Sequence, residues 1–201
     1  VTQDHALASE WGGGRWPFGF NWPKLMMWLF LLQDTLTFAA LLAGYWMLRI
    51  ANVDWPPQYE IFDLYLVAFM TFVLICSSAT MAVAVAASAR GDRRLSSRFL
   101  WLTVLGGVTF LGLQAYEWTH FISEGARLAS NPWGVPLFSA SFFVITGFHG
   151  AHVLAGVIYL LITIARQAAG RIKPESVEIA GLYWHFVDLV WVFIFTIKYL
   201  L

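Results

Sequence analysis

Two histidines stand three residues apart in "ITGFHGAHVLAG", residues 145–156, a stretch otherwise made of apolar and small side chains. Residues three or four apart share a helix face. His149 and His152 therefore present two imidazoles side by side, and both are costly to bury unless something answers them. The same spacing recurs elsewhere: Gln114 with Glu117, and His185 with Asp188. Asp34 adds a further acid inside an apolar run, on a stripe with Thr37, Leu41 and Tyr45.

Three chemistries are open to such a set. A His-x-x-His pair completed by Asp34 or Asp188 could ligate a metal or haem. A series of acids and imidazoles inside a membrane could carry protons or ions. The same groups could instead satisfy one another across helices and fix the packing. The residues favour the last: no cysteine or further histidine lies near the pair, and the single cysteine, Cys76, sits in an apolar run and reads as a buried small residue. No catalytic group, no directly bound cofactor and no metal ligand is assigned to this chain. The candidate site is an intramembrane polar network of Asp34, Gln114, Glu117, His149, His152, His185 and Asp188. Trp184 and Trp191 read as packing aromatics beside it.

The elements that position these groups follow from composition. Of 201 residues, 59% are hydrophobic and 12% are charged, with a mean hydropathy of +0.66. That is about half the charged fraction of a soluble domain. The net charge of zero gives no electrostatic case for nucleic acid. A membrane-spanning helix needs about 20 mainly apolar residues. Five segments qualify, approximately 24–49, 62–89, 97–122, 136–166 and 177–200, separated by "WPPQ", "RGDRR", "NPWGVP" and "AAGRIKPE". The expectation is an all-α bundle of five transmembrane helices, a single domain over 24–201, preceded by an irregular arm over 1–23 with its Trp residues at headgroup level. Gly147, Ala151 and Ala155 form a small-residue seam for close helix approach.

Basic residues orient the bundle. Arg15, Lys24, Arg90, Arg93, Arg94, Arg98, Arg166, Arg171 and Lys173 fall on one side, and only Arg49, Arg127 and Lys198 on the other. The bias places the N-terminus inside and the C-terminus outside. Each acid at mid-membrane costs about 2.5–3.5 kcal/mol on insertion scales, so none is expected to face lipid. Counting residues from the helix ends puts Asp34, His152 and Asp188 at one depth and Glu117 nearer the opposite surface. Two polar clusters are expected, with His149 and His152 as partners of Asp34 and of the His185/Asp188 face.

Two C-terminal stretches, "FFVITGFHGAHVLAG" (142–156) and "YWHFVDLVWVFIFTIKYLL" (183–201), together with "LGGVTFLGLQAYEW" (105–118), resemble subunit III of the haem–copper oxidases. The resemblance spans about 24–201 and matches the five-helix bacterial form. Asp34, in "FLLQDTLTF", stands where relatives usually carry a Glu. What the resemblance implies is a non-catalytic subunit of a respiratory terminal oxidase in the bacterial plasma (inner) membrane. It would bind phospholipid and support proton uptake and the stability of subunit I during oxygen reduction. Haems and copper are expected in the partner subunits I and II, and contacts with cytochrome c or a supercomplex would run through those subunits. Two alternatives stand beside it: an accessory protein of a nitric oxide reductase, and an independent proton-coupled carrier. The carrier reading predicts interrupted helices around a central site, and no crossing here has an internal Pro.

Overall fold

In the computed structural model, which describes residues 21–201, every long apolar run is helical. The chain forms α1 (Trp22–Ala51), a single turn α2 (Gln58–Ile61), α3 (Leu64–Ala89), α4 (Arg93–Ser123), α5 (Pro136–Ala168) and α6 (Pro174–Ile194). A wider π-helical segment, Phe195–Leu200, carries α6 to its end. Five helices are long and apolar enough to cross a membrane. The expected arm over 1–23 lies outside the described residues up to residue 20. Its last two positions, Trp22 and Pro23, belong to α1, because proline suits the first helical turn where its missing N–H is not needed.

Helix ends differ from the hydropathy reading for local reasons. α4 begins four residues before the expected 97, inside the Arg-rich stretch, because Asp92 accepts hydrogen bonds at the N-cap from Leu95 N–H. Two residues were lost from the front of α3 for a similar reason: Asp63 caps it through Tyr65 N–H and Leu66 N–H, so Phe62 is extended. Between α3 and α4 the chain reverses through Gly91 at φ 80°, a backbone region that favours glycine. α5, at 33 residues, is about 50 Å long.

α3, α4, α5 and α6 close a four-helix ring in which each packs on its two neighbours, and α1 lies outside the ring against α5 and α6. The core is set by one stripe per helix. On α1 the buried positions are Leu31, Asp34, Phe38, Leu42 and Tyr45, spaced three and four apart. Thr37 is exposed, so the stripe runs one step round from the one expected through Thr37 and Leu41. Cys76 is exposed as well, contrary to its expected burial; it shares the outer face of α3 with Phe72 and Ile75. The seam on α5 is also displaced in part. Ala151 and Ala155 face outward, and the close approaches use Gly147, against Trp118, together with Gly150 and Gly156.

At the end of the bundle that carries α2, the aromatic rings of Tyr45, Trp55, Phe62, Phe121, Phe138, Phe142 and Tyr199 form one cluster. Lys198 points into it and is fully buried. Its Nζ donates to Ser141 Oγ at 3.0 Å and to the Phe138 carbonyl at 3.3 Å, and lies 4.2 Å above Tyr45 and 4.7 Å above Phe138. Lys198 and Tyr199 are both buried, each continuing the inner face of α6, Lys198 in line with Trp191 and Tyr199 in line with Asp188. The sequence count that set Lys198 among surface topology residues missed this. Ring faces carry partial negative charge and favour a cation. Lys198→Met, which keeps the stem and removes the charge, is expected to stay within about 1 kcal/mol of the parent. Lys198→Glu is expected to cost about 3 kcal/mol or more. Thermal unfolding of the purified protein in detergent or nanodiscs checks both.

Candidate functional site

Burial brings most of the ionisable groups into the interior but joins them in separate pairs. Asp34 on α1 and His152 on α5 meet, with His152 Nε2 at 3.2 Å from Asp34 Oδ2. The contact is well shielded, with side-chain exposures of 10% and 16% respectively. The other imidazole nitrogen, Nδ1, lies 2.7 Å from the carbonyl of Phe148, one turn back on α5. A carbonyl only accepts, so Nδ1 must carry a hydrogen. Nε2 and Oδ2 stand within ion-pair distance but without hydrogen-bond geometry, so the contact between them is electrostatic. The hydroxyl of Tyr183 on α6 donates to the His152 carbonyl at 3.0 Å, and Phe38 and Phe148 pack edge-on against the ring. Three long helices thus converge on one ion pair.

His149, on the same face, behaves differently. It is fully buried, yet neither ring nitrogen makes a hydrogen bond within the described chain. Phe110 meets it edge-on at 5.6 Å and Trp191 lies tilted against it at 5.0 Å. It therefore packs as an aromatic ring among aromatic rings, and the expected pairing with an acid is absent among its hydrogen bonds. The reason is positional: three residues along α5 turn the two imidazoles by about 300°, that is, 60° apart. His152 faces α1, whereas His149 faces the ring interior filled by Phe110 and Trp191.

The last helix shows the same separation. His185 Nδ1 bonds the Ser78 hydroxyl of α3 at 2.6 Å. Neither Asp188 oxygen has a hydrogen-bond partner by distance and angle, although Ser78 is close enough to interact with it. Asp188 is 7% exposed, so it is enclosed between α6 and α3 without reaching an imidazole.

Gln114 and Glu117 both face inward from α4. Gln114 Nε2 donates to the Thr146 carbonyl at 2.6 Å, and Trp118 Nε1 to the Thr146 hydroxyl at 3.1 Å, which ties α4 to α5 through one residue. Glu117 Oε2 accepts from the Tyr199 hydroxyl at 3.1 Å. Among the described residues no imidazole or basic side chain completes that pair. Tyr199 was not singled out in the sequence, although it stands four residues after Phe195 and eleven after Asp188, on the helix face those residues share.

Trp184 and Trp191 are buried, at 1% and 0% exposure, and each spends its N–H across the α3–α6 contact. Trp184 Nε1 donates to Ser77 Oγ and Trp191 Nε1 to Thr71 Oγ1, both at 3.0 Å. Ser77, Ser78 and Thr71 are the α3 counterparts that the sequence reading passed over as small polar residues in an apolar run. Among the described residues, no three His, Cys, Asp or Glu side chains converge as a metal's donor set requires. What the arrangement can do is hold helices in register.

A groove of about 600 Å³ runs between α1 and α6, lined by Phe38, Leu42, Trp46, Phe186, Val190 and Phe193 among other apolar side chains. It borders the Asp34–His152 pair through Phe38.

Comparison with known proteins agrees with this architecture. The family model described as cytochrome c oxidase subunit III matches residues 17–201. The chain is 38% identical over 181 residues to cytochrome c oxidase subunit 3 of Bacillus subtilis (strain 168), covering 88% of this chain and 85% of that protein. It is 35% identical over 186 residues to the probable quinol oxidase subunit 3 of Staphylococcus saprophyticus, covering 90% of each. A cytochrome c oxidase subunit 3 from Thermostichus vulcanus is 34% identical over 177 residues, with 86% of this chain and 84% of that protein covered. The chain is a multi-pass membrane protein of the cytochrome c oxidase subunit III family, homologous to subunits of bacterial cytochrome c and quinol oxidases.

Proposed function

We propose that this chain is the non-catalytic third subunit of a haem–copper terminal oxidase, packed beside subunit I with subunit II in the same complex. Its role is to bind phospholipid and to sustain proton uptake and stability in subunit I during turnover. The observation that carries the reading is how the interior acids are used. Asp34 is committed to His152 and Glu117 to Tyr199, both inside the bundle. The outward surface is apolar and grooved, as the space between α1 and α6 illustrates. Such a groove suits acyl chains, whose methylenes fill apolar concavities without needing polar partners. Redox chemistry then belongs to the partner subunits, where the haems and copper of this family reside.

The experiment is depletion. Oxidase purified without this chain is expected to keep its haem absorption and its initial rate within about twofold. It should then lose activity progressively with turnover, and should carry less tightly bound phospholipid by mass spectrometry. Sustained turnover equal to that of the intact complex, with unchanged lipid, would refute the role.

The N-terminus-inside orientation is part of the same proposal, and the basic side chains at the α3–α4 and α5–α6 turns support it. Cysteine labelling tests it directly. On a Cys76→Ser background, Ala129→Cys in the exposed α4–α5 connection is expected to react with a membrane-impermeant maleimide in intact cells. Arg171→Cys in the α5–α6 turn should react only after permeabilisation. The reverse pattern means the opposite orientation.

A further inference from the structure

Glu117 has a feature that packing between helices does not use. One oxygen accepts from Tyr199, while Oε1 is buried and has no hydrogen-bond partner in the described chain. The residue is 7% exposed and lines a pocket of about 80 Å³. The walls are Ile61, Phe62, Leu66 and Phe121, and the polar rim is formed by Asp63, Tyr116 and His120. At about 30 Å³ per molecule, the space suits two or three waters.

The rim faces solvent. Asp63 and His120 are exposed, and one Asp63 oxygen is already committed to capping α3, where it accepts from Tyr65 N–H and Leu66 N–H. His120 Nδ1 lies 3.5 Å from Glu124 Oε1, one turn on. Lys198, the neighbour of Tyr199, spends its charge on Phe138, Ser141 and the Tyr45 ring. The groups that face the Glu117 carboxyl are therefore the Tyr199 hydroxyl from the last helix, Tyr116 and His120 from α4, and Asp63 from the start of α3. Among the described residues no fixed cation neutralises it from inside, and the pocket it lines is shared with the exposed Asp63 and His120.

We propose that Glu117 is a proton-exchange site: its carboxyl takes up and releases a proton through water in the pocket between α2, α3 and α4. The free oxygen, Oε1, is the atom that gains or loses the proton. Tyr199 keeps its hydrogen bond to Oε2 throughout and holds the carboxyl facing the pocket. The proton passes to and from pocket water, with Asp63 and His120 at the rim as the next acceptors. This places a protonatable group at the α2 end of the bundle that shares no residue with the Asp34–His152 pair. It does not depend on the role proposed for the subunit or on its orientation.

Infrared difference spectroscopy on the intact oxidase complex, after a pH jump and after transfer from H₂O to D₂O, tests this. The parent is expected to show a carboxylic C=O stretching band that appears on acidification and shifts to lower wavenumber in D₂O. Glu117→Gln should remove that band. Tyr199→Phe keeps the carboxyl but removes its donor, and should move the band to higher wavenumber. Leu66→Phe, which narrows the pocket, should slow the D₂O shift and leave the band position unchanged. A Glu117→Gln spectrum identical to the parent's, or a band insensitive to D₂O, overturns the proposal. Should Glu117→Gln fail to assemble, an unmoved band in Tyr199→Phe overturns it equally.

Discussion

Gly107→Leu is expected to abolish stable assembly of this subunit, and Gly107→Ala to cost about 1–3 kcal/mol. A β-carbon at Gly107 on α4 would lie 2.5 Å from Trp184 Cη2 and 2.8 Å from Val157 Cγ2. Neither neighbour can yield easily. Trp184 is held at its far end by the hydrogen bond from Nε1 to Ser77 Oγ, and is pressed by Gly156, where an added β-carbon would meet the indole at 3.1 Å. Val157 is a stiff β-branched residue on the same face of α5. Alanine is the better helix former by about 1 kcal/mol, so any loss at Gly107→Ala reports the overlap. Trp184→Phe removes the part of the indole that the new methyl meets. The double variant should therefore be less destabilised than the sum of the two single changes, a coupling that applies to neighbours in contact. Thermal unfolding of the purified complex, with retention of this subunit on size exclusion, measures the series. A Gly107→Ala protein as stable as the parent would refute the account.

That site also shows where sequence reading succeeds and where it stops. The five crossings were legible because apolar runs of 20 or more residues broken by Pro, Gly and Arg admit few other structures in lipid. Trp184 and Asp188 were legible as inward residues because they share a helical face with Gly181 and Trp191. Asp34 was legible as buried because an acid facing lipid is costly. What periodicity could not supply was the partner. His149 and His152 look equivalent in the sequence, yet one faces α1 and meets Asp34 while the other faces Phe110 and Trp191. That difference depends on where α1 lies outside the four-helix ring. No pattern along α5 encodes it.

The inward position of Tyr199 could have been read from its spacing, four residues after Phe195 and eleven after Asp188, but its partner could not, because nothing along the last helix names Glu117 of α4. The seam on α5 held at one position and failed at two. Small residues at four-residue spacing mark a face that permits close approach, but they do not say that this chain supplies the neighbour. Gly147 is approached by Trp118, Ala151 and Ala155 face outward, and Gly150 and Gly156 meet Gln114 on one side and Trp184 and Tyr183 on the other.

Removing one member of the Asp34–His152 pair is expected to destabilise the bundle far more than removing both. Asp34→Leu leaves His152 Nε2 facing an apolar α1, while Nδ1 remains fixed on the Phe148 carbonyl. His152→Leu leaves a carboxyl enclosed without its partner. Each single change is expected to cost about 3 kcal/mol, the lower end of what breaking a buried pair costs. The double change Asp34→Leu/His152→Leu should return to within about 1 kcal/mol of the parent, because two apolar side chains fill a site flanked by Phe38 and Phe148 with nothing left unmatched. Asp34→Asn should fall between, since the amide can still accept from the ring while the charge is gone. Unfolding of the four variants in the intact complex gives the cycle directly. A coupling near zero would mean that the 3.2 Å contact carries no energy and that α1 is held to α5 and α6 by its apolar stripe alone. A large coupling with unchanged turnover would separate the pair's structural role from any part in proton uptake. A large coupling with turnover that decays in the single variants but not in the double would instead tie the durability of the oxidase to the docking of α1.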